Sequence, residues 1–406
     1  MTLAFAASAL AVSGTRIHIA ELPRFGSPAV AVDSAGTAYI AWSNEVRLPK
    51  EGDLVEYCVL PAGASACTHN GHLRLESGTE PYIGKVQVIV DGSTVILLAI
   101  DDFGVEPKYE PVQEWQSTNG GESFTKVIGG KSVSNYGGSA DNAVIVPGTN
   151  ALGIGAGEPS FDEFPFTAPG ECSGKSCPFA TLQAAISKTE HPLADLGGSF
   201  ASDLTPGQQG VLGVYPTFSR QNQCNGESSS VTDYVYGQGP QEANNSYDIA
   251  PGLPKSAWRK ELSPGGCEVE NVTAAGGPSG LGVVENDKTR GYTVYQRFNQ
   301  TTEEFEPSYA TISTEGEIQP SLSQDGVGGI YLAYDTFYGV NLAYSSTAGT
   351  SWTGPAQIVS EQYGVNHLTS SVGSGGQGWA VWTREESIYA QQFVASDAIP
   401  PPPPPP

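Results

Sequence analysis

Apolar and polar residues alternate in short runs along most of this chain, and the runs recur. In Pro28-Ala-Val30-Ala-Val32 the valines alternate with small residues, the two-residue period of a half-buried strand. Asp33-Ser34-Ala35-Gly36 follows as a turn in which Gly36 can take a positive φ. Tyr39-Ile-Ala41-Trp42 then reads as the second strand of a hairpin. The segment Pro320 to Tyr334 aligns with Pro28 to Trp42 without a gap, and Pro320, Asp325, Gly328, Tyr331 and Ala333 repeat Pro28, Asp33, Gly36, Tyr39 and Ala41. A weaker copy runs from Leu368 through a Gly-rich turn to Trp379-Ala-Val381-Trp382. Ala29, Ala31 and Ala41 are small enough for strands to pack where space is tight, near a central axis.

Fainter copies fill the middle. They are Tyr82–Ile89 with Val95–Ile100, Ala143–Val146 with Leu152–Gly155, Ser199–Leu204 with Val211–Tyr215, and Leu281–Val284 with Tyr292–Tyr295. Between residues 15 and 395 this makes seven modules of about 54 residues each. A β-sandwich would not repeat one hairpin in this way, whereas a repeat made only of strands is what a β-propeller requires. The expected class is all-β, a β-propeller of seven blades, with six as the alternative count. The last module supplies only Ser370–Val372, Trp379–Thr383 and Ile388–Phe393. The alternating segment Thr15–Leu22 has no nearby hairpin partner and is expected to complete that last blade, removing an open edge.

Composition agrees. Gly and Pro number 50 and 30 in 406 residues, which breaks long helices, while 18 Tyr, 14 Phe and 6 Trp can bury a core. Net charge is −24, from 19 Lys+Arg and 43 Asp+Glu. Such a surface repels phosphate backbones and anionic lipid, so nucleic acid is excluded as an expected partner. No run of 18 apolar residues exists, so no membrane-spanning helix is expected.

A sharper motif follows the third strand of two modules. Ser117-Thr-Asn119-Gly120-Gly121-Glu-Ser-Phe124 and Ser345-Ser-Thr347-Ala-Gly349-Thr-Ser-Trp352 share the pattern Ser-x-x-x-Gly-x-x-aromatic. This resembles the Asp-box, or bacterial neuraminidase repeat, of sialidase-like propellers. Asn119 and Thr347 stand where the family has Asp, and both side chains can still accept backbone hydrogen bonds. The resemblance implies that Ser117, Asn119, Gly121, Phe124, Ser345, Thr347, Gly349 and Trp352 are structural and lie on the outer rim.

Active sialidases bind the substrate carboxylate with three arginines and use a Tyr–Glu nucleophile pair and an Asp acid/base. The family announces its first arginine in a Phe/Tyr-Arg-Ile-Pro motif, and Leu22-Pro23-Arg24-Phe25 does not match it. Of the nine arginines, Arg16, Arg24, Arg47, Arg220, Arg297 and Arg384 carry no motif. Tyr338 is the one tyrosine that could be imagined as a nucleophile, and it reads more simply as a rim residue. No nucleophile elbow, phosphate loop or His-Glu-x-x-His is present. His18, His69, His72, His191 and His367 show no ligand spacing, so no metal is expected. The acidic balance is compatible with calcium, but no ligand-spaced Asp run indicates it.

Two irregular stretches suggest recognition instead. Phe161–Cys177 carries Phe164 and Phe166, and Gln221–Pro254 carries Tyr234 and Tyr236 among Asn, Gln and Ser. Aromatic rings stack on apolar sugar faces and amides reach hydroxyls. The expected function is therefore binding of a glycan or surface-protein ligand at Phe164, Phe166, Tyr234 and Tyr236, without catalysis, by a monomeric propeller within a larger chain. A sialidase-type glycoside hydrolase is the alternative.

Residues 1–14 form a leader whose segment Leu3–Val12 resembles a secretory signal, although no Lys or Arg precedes it. Residues 15–395 form the propeller. Residues 396–406 hold the run Pro400–Pro406, a stiff polyproline spacer. The six cysteines pair by proximity as Cys58–Cys67, Cys172–Cys177 and Cys224–Cys267, which fits an oxidising compartment and a secreted or envelope-surface location. Non-reducing peptide mapping should recover these three cross-links, and predominantly free thiols would contradict both the pairing and the compartment.

Overall fold

The computed structural model describes residues 10–21, 27–44, 54–74, 83–101, 111–132, 143–146, 151–156, 160–165, 180–183, 199–203, 210–224, 227–238, 269–287, 292–302, 304–313, 319–353, 355–360 and 364–395. Their secondary structure is entirely β. After β1 (Leu10–Glu21), the first sheet holds β2 (Ala29–Val32), β3 (Ala38–Asn44), β4 (Leu54–Leu60) and β5 (His69–Arg74). The second holds β6 (Ile83–Asp91), β7 (Thr94–Asp101), β8 (Pro111–Ser117) and β9 (Thr125–Ser132). The third holds β10 (Ala143–Val146), β11 (Ala151–Ala156), β12 (Ser160–Pro165) and β13 (Ala180–Gln183). Three strands make the fourth sheet: β14 (Ser199–Asp203), β15 (Gly210–Cys224) and β16 (Glu227–Gln238). The fifth holds β17 (Val269–Ala275), β18 (Leu281–Asp287), β19 (Tyr292–Asn299) and β20 (Glu304–Ser313). The sixth holds β21 (Pro320–Gln324), β22 (Ile330–Thr336), β23 (Gly339–Ser345) and β24 (Ala356–Ser360). The last combines β25 (Asn366–Val372), β26 (Gln377–Arg384) and β27 (Ser387–Ala395) with β1.

Every strand pairs antiparallel with its neighbour, in sequence order except where β1 pairs with β27. In that pair Ile17 faces Ala390 and Leu10 faces Ala395, so β1 extends into the segment read as a leader. The first strands of the sheets touch in a circuit, β2 to β6, β10, β14, β17, β21, β25 and back to β2. The fifth module is shifted from its sequence reading. Leu281 starts the second strand and Tyr292 the third, because the turn lies earlier, at Gly276–Gly280, and the first strand is Val269–Ala275.

Apolar side chains fill the spaces between sheets. Tyr39, Ala41, Tyr57 and Val59 of the first sheet pack against Val86, Val95, Leu97 and Trp115 of the second. Val30, Ile40 and Trp42 pack against Trp379, Val381 and Ile388 of the last. The same arrangement joins the fourth sheet to the fifth, the fifth to the sixth, and the sixth to the last.

A circuit of this kind leaves one edge of each first strand without a ladder partner. Unpaired buried N–H groups are costly, about 1–3 kcal/mol each. Hydroxyls of the preceding sheet meet several of them. Ala274 N donates to Ser199 Oγ at 2.9 Å, and Leu322 N to Thr273 Oγ1 at 3.4 Å. Ser370 N donates to Ser321 Oγ at 2.8 Å, and Val32 N to Ser371 Oγ at 3.2 Å.

The repeated hairpins share one turn. Asp33 Oδ1 accepts from the N–H groups of Ala35 and Thr37, both at 2.9 Å, and Tyr39 donates its hydroxyl to Asp33 Oδ2 at 3.2 Å. Asp325 does the same with Val327, Gly329 and Tyr331. Burial, then the Asp33 carboxylate and its hydrogen bond, push the Tyr39 hydroxyl up to about 12, so it stays a donor. These turns also meet neighbouring sheets through their glycine carbonyls. Trp379 Nε1 donates to Gly36 O at 3.0 Å, and Gln324 Nε2 to Gly280 O at 2.7 Å.

The two Ser-x-x-x-Gly turns close on themselves and then onto the previous sheet. Ser117 Oγ accepts from Gly121 N at 2.9 Å, and Asn119 Oδ1 accepts from Ser123 N at 3.2 Å. Ser345 and Thr347 make the equivalent bonds to Gly349 and Ser351. The aromatic then packs edge-on to a tyrosine of the previous sheet, Phe124 against Tyr57 and Trp352 against Tyr295. In the first sheet the Cys58–Cys67 disulfide takes that place. Thr68 N bonds Val59 O there as Thr353 N bonds Tyr344 O, so Cys67 occupies the position of Trp352. Cys172, Cys177 and Cys267 lie outside the described residues, as does the side chain of Cys224.

Gly349 has φ +84°, and a Cβ there would lie 1.9 Å from Tyr295 Cε1. Gly120 also has positive φ, but a Cβ would meet nothing within 4 Å, and Ala348 holds the equivalent position at φ 52°. Urea unfolding should therefore show Gly349→Ala less stable by about 2–3 kcal/mol and Gly120→Ala, which meets only the left-handed backbone strain, by about 1 kcal/mol. Equal stabilities would mean that the turn does not bear on the neighbouring sheet.

Candidate functional site

Antiparallel order sorts the connections onto two ends. Turns between first and second strands, and between third and fourth, lie at one end. Turns between second and third strands, and the links between sheets, lie at the other. At the first end sit the Asp33 and Asp325 turns, both Ser-x-x-x-Gly turns and the disulfide. Those described turns satisfy their own polar groups.

The second end is different. On the second strands, Ser43, Asn286, Asp335 and Thr383 occupy equivalent positions near it. Ser43, Asn286 and Thr383 are buried. Thr383 donates its hydroxyl to Asn366 O at 3.0 Å, and Asp335 Oδ1 accepts from the backbone N–H of Gln319. Both bonds hold the entry of a first strand. Burial raises the Asp335 carboxyl, and the Gln319 bond pulls it back. On the first sheet Trp42 Nε1 and Asn44 Nδ2 each donate at 2.9 Å to Glu56, occupying both of its oxygens. Ser27 Oγ and His367 Nδ1 lie 3.0 Å apart where the first strands β2 and β25 begin, with His367 at φ 48°.

The largest exposed hydrophobic surface among the described residues belongs to Val327, Phe337 and Tyr338, 85%, 49% and 60% exposed. Val327 is in the Asp325 turn at the first end. Phe337 and Tyr338 form the turn between β22 and β23 at the second. In the sequence Tyr338 reads as a rim residue, or at most as an imagined nucleophile. The signal available was a two-residue connection made of aromatics instead of turn formers.

The four aromatics proposed from sequence are spread over two sheets. Phe164 lies on β12 opposite Leu152. Tyr234 and Tyr236 lie on β16 opposite Val214 and Leu212. Val214 and Leu212 are themselves buried against the fifth sheet. Phe166 lies outside the described residues. Among the arginines, Arg16 stacks on Tyr389 with 4.4 Å to the ring centroid, and Arg297 lies 3.9 Å from Glu306. They are on β1 and β19, in different sheets. No three His, Cys, Asp or Glu among the described residues group as metal ligands, and no described helix is long and apolar enough to cross a membrane.

One buried carboxyl stands out. Glu114 on β8 has no exposed surface, and Gln116 Nε2 donates to its Oε1 at 2.7 Å. Its Oε2 has no hydrogen-bond partner among the described residues. Burial pushes the carboxyl from the usual 4.5 up to about 7, against the lowering effect of the Gln116 bond.

No protein-family model matches the sequence, and no curated protein matches it. Solved structures do match. The α-L-arabinanase of Penicillium chrysogenum, in complex with arabinobiose, is 11% identical over 96% of this chain and 99% of that one, with a TM-score of 0.52. The WD40 domain of Toxoplasma gondii coronin is 11% identical over 95% of this chain and 86% of that one, with a TM-score of 0.53. At this identity the likeness concerns the fold, and the fold is a β-propeller.

Glu114 makes a pH prediction. The unfolded chain loses this proton near 4.5 and the folded chain near 7, so stability falls as pH rises across that interval and is level above it. Between these limits the wild-type chain should lose about 2–3 kcal/mol more than Glu114→Gln in urea unfolding. Parallel curves for the two chains would contradict it.

Proposed function

We propose that this chain is a secreted or envelope-surface propeller of seven blades, sialidase-like in its rim turns and closed by β1. It binds a glycan or surface-protein ligand without turning it over. Each of the seven sheets is one blade, the circuit of first strands surrounds the axis, and β1 completes the last blade. The observation that carries the functional reading is the contrast between the two ends. At the first, the described turns are tied down by their own side chains and by the neighbouring sheet. The second presents exposed aromatics above polar side chains that already hold the backbone in place. Phe164, Phe166, Tyr234 and Tyr236 remain proposed glycan contacts, but Phe164 lies toward the first end of the molecule, near the end of third strand β12, apart from the Phe337–Tyr338 turn.

A glycoside hydrolase of sialidase type is the second reading. Burial raises the Glu114 carboxyl, but a side chain with no exposed surface is out of a substrate's reach and supplies no general acid here. The arabinanase likeness is compatible with sugar chemistry on this fold. Against it stand the missing arginine motif and a net charge of −24, which opposes an anionic sugar unless a local positive cluster offsets it.

Fluorogenic sialosides and neutral glycosides, assayed beside a glycan array, separate the two. Binding without hydrolysis is the expected result. Hydrolysis above a heat-killed control would replace the proposal with the second reading.

A further inference from the structure

We propose that the Phe337–Tyr338 turn is a stacking subsite for a neutral sugar residue, a placement that rests on the glycan reading above and makes it specific. Thr336 pairs directly with Gly339, so only two residues connect β22 to β23. Such connections favour Asn, Asp and Gly, which reach the backbone angles of tight hairpins and are well solvated. Phe and Tyr here do neither, and they remain 49% and 60% exposed. A tight two-residue turn does not demand them. In the adjacent last sheet, Arg384 pairs with Ser387 across the same two-residue connection, and the residues between them are Glu385 and Glu386. Large apolar side chains at an exposed hairpin tip, where the equivalent tip is acidic, are explained by something they contact.

The turn is held rigid. Tyr338 N donates to Thr336 Oγ1 at 3.2 Å, and Asn341 Nδ2 donates to the same oxygen at 3.1 Å. Gln357 Nε2 donates to Tyr338 O at 2.8 Å. Preorganisation of this kind reduces the ordering cost of binding. The two rings meet edge to face, with centroids 5.2 Å apart and planes at 79°. One ring thus forms a floor and the other a wall, a corner that suits the apolar C–H face of a sugar ring. The Thr336 hydroxyl also donates to Gly339 O at 3.3 Å and is spent within the turn, while the amides of Asn341 and Gln357 stand around the corner with donors and oxygens left to exchange hydrogen bonds with hydroxyls. These neighbours carry no charge, and the adjacent tip is Glu385–Glu386, so the ligand is a neutral saccharide, not a sialoside or uronate.

The test uses the full chain and calorimetric titration with neutral pentose and hexose oligosaccharides, beside a sialoside. Variants are Phe337→Ala, Tyr338→Ala, Tyr338→Phe and, at the opposite end, Val327→Ala, each first checked for an unchanged melting temperature. The expected result is at least tenfold weaker binding of a neutral oligosaccharide by both alanine variants. Tyr338→Phe and Val327→Ala should stay within threefold of wild type. If wild type binds a neutral sugar and the alanine variants bind it equally well, the subsite is refuted and the glycan reading survives. If wild type binds only the sialoside, or no saccharide at all, the subsite is refuted, and in the second case the glycan reading falls with it.

Discussion

The unpaired edge of each first strand is the constraint on which the rest depends. A strand at the axis has a ladder partner on one side only. Its other edge must find donors and acceptors in a neighbouring sheet that approaches at an angle. Ser199, Thr273, Ser321 and Ser371 supply short hydroxyls that reach across to the next first strand. Larger side chains would hold the strands apart, and apolar ones would leave the amides unmet. The alanines at Ala29, Ala41 and Ala333 follow from the same crowding, and all are buried. Such an edge is met only where another sheet lies beside it, and the contact of β25 with β2 places the last sheet beside the first.

The same logic divides the molecule into a structural end and an open end. At the structural end, three different devices do one job. An Asp side chain shapes the first turn of a module, while a Ser-x-x-x-Gly turn with its aromatic, or a disulfide, locks the last. Tyr57 and Tyr295 receive Phe124 and Trp352, so each lock also joins two sheets. Stability concentrated there leaves the opposite end less constrained, and Phe337 and Tyr338 stand exposed at it.

Much of the fold was legible because its turns are written in distinctive residues. Asp33 and Asp325, with Gly36 and Gly328 three positions on, mark hairpins by themselves, and the serine, glycine and aromatic of the rim turns mark the third and fourth strands. The fifth module was less legible. Its first strand ends in Thr273-Ala274-Ala275, small residues with no alternation, and the Gly276–Gly280 turn lacks the Asp, so the pairing was read one strand late. The equivalence of Cys67 with Trp352 was hidden because a disulfide and a buried ring share no residue pattern. The second end was least legible. Phe337 and Tyr338 look like the continuation of a strand until pairing of Thr336 with Gly339 places them at a tip. The burial of Glu114 depends on how two sheets meet, which local spacing does not encode.

If closure between β1 and β27 is what completes the ring, removing β1 should be felt by the whole molecule. The direct measurement compares the full chain with one beginning at Phe25, by thermal unfolding and by sedimentation. The account predicts a markedly lower melting temperature and self-association through the bared edge of β27, which pairs with β1 from Ser387 to Ala395. A shortened chain that stays monomeric and melts at the same temperature would contradict it.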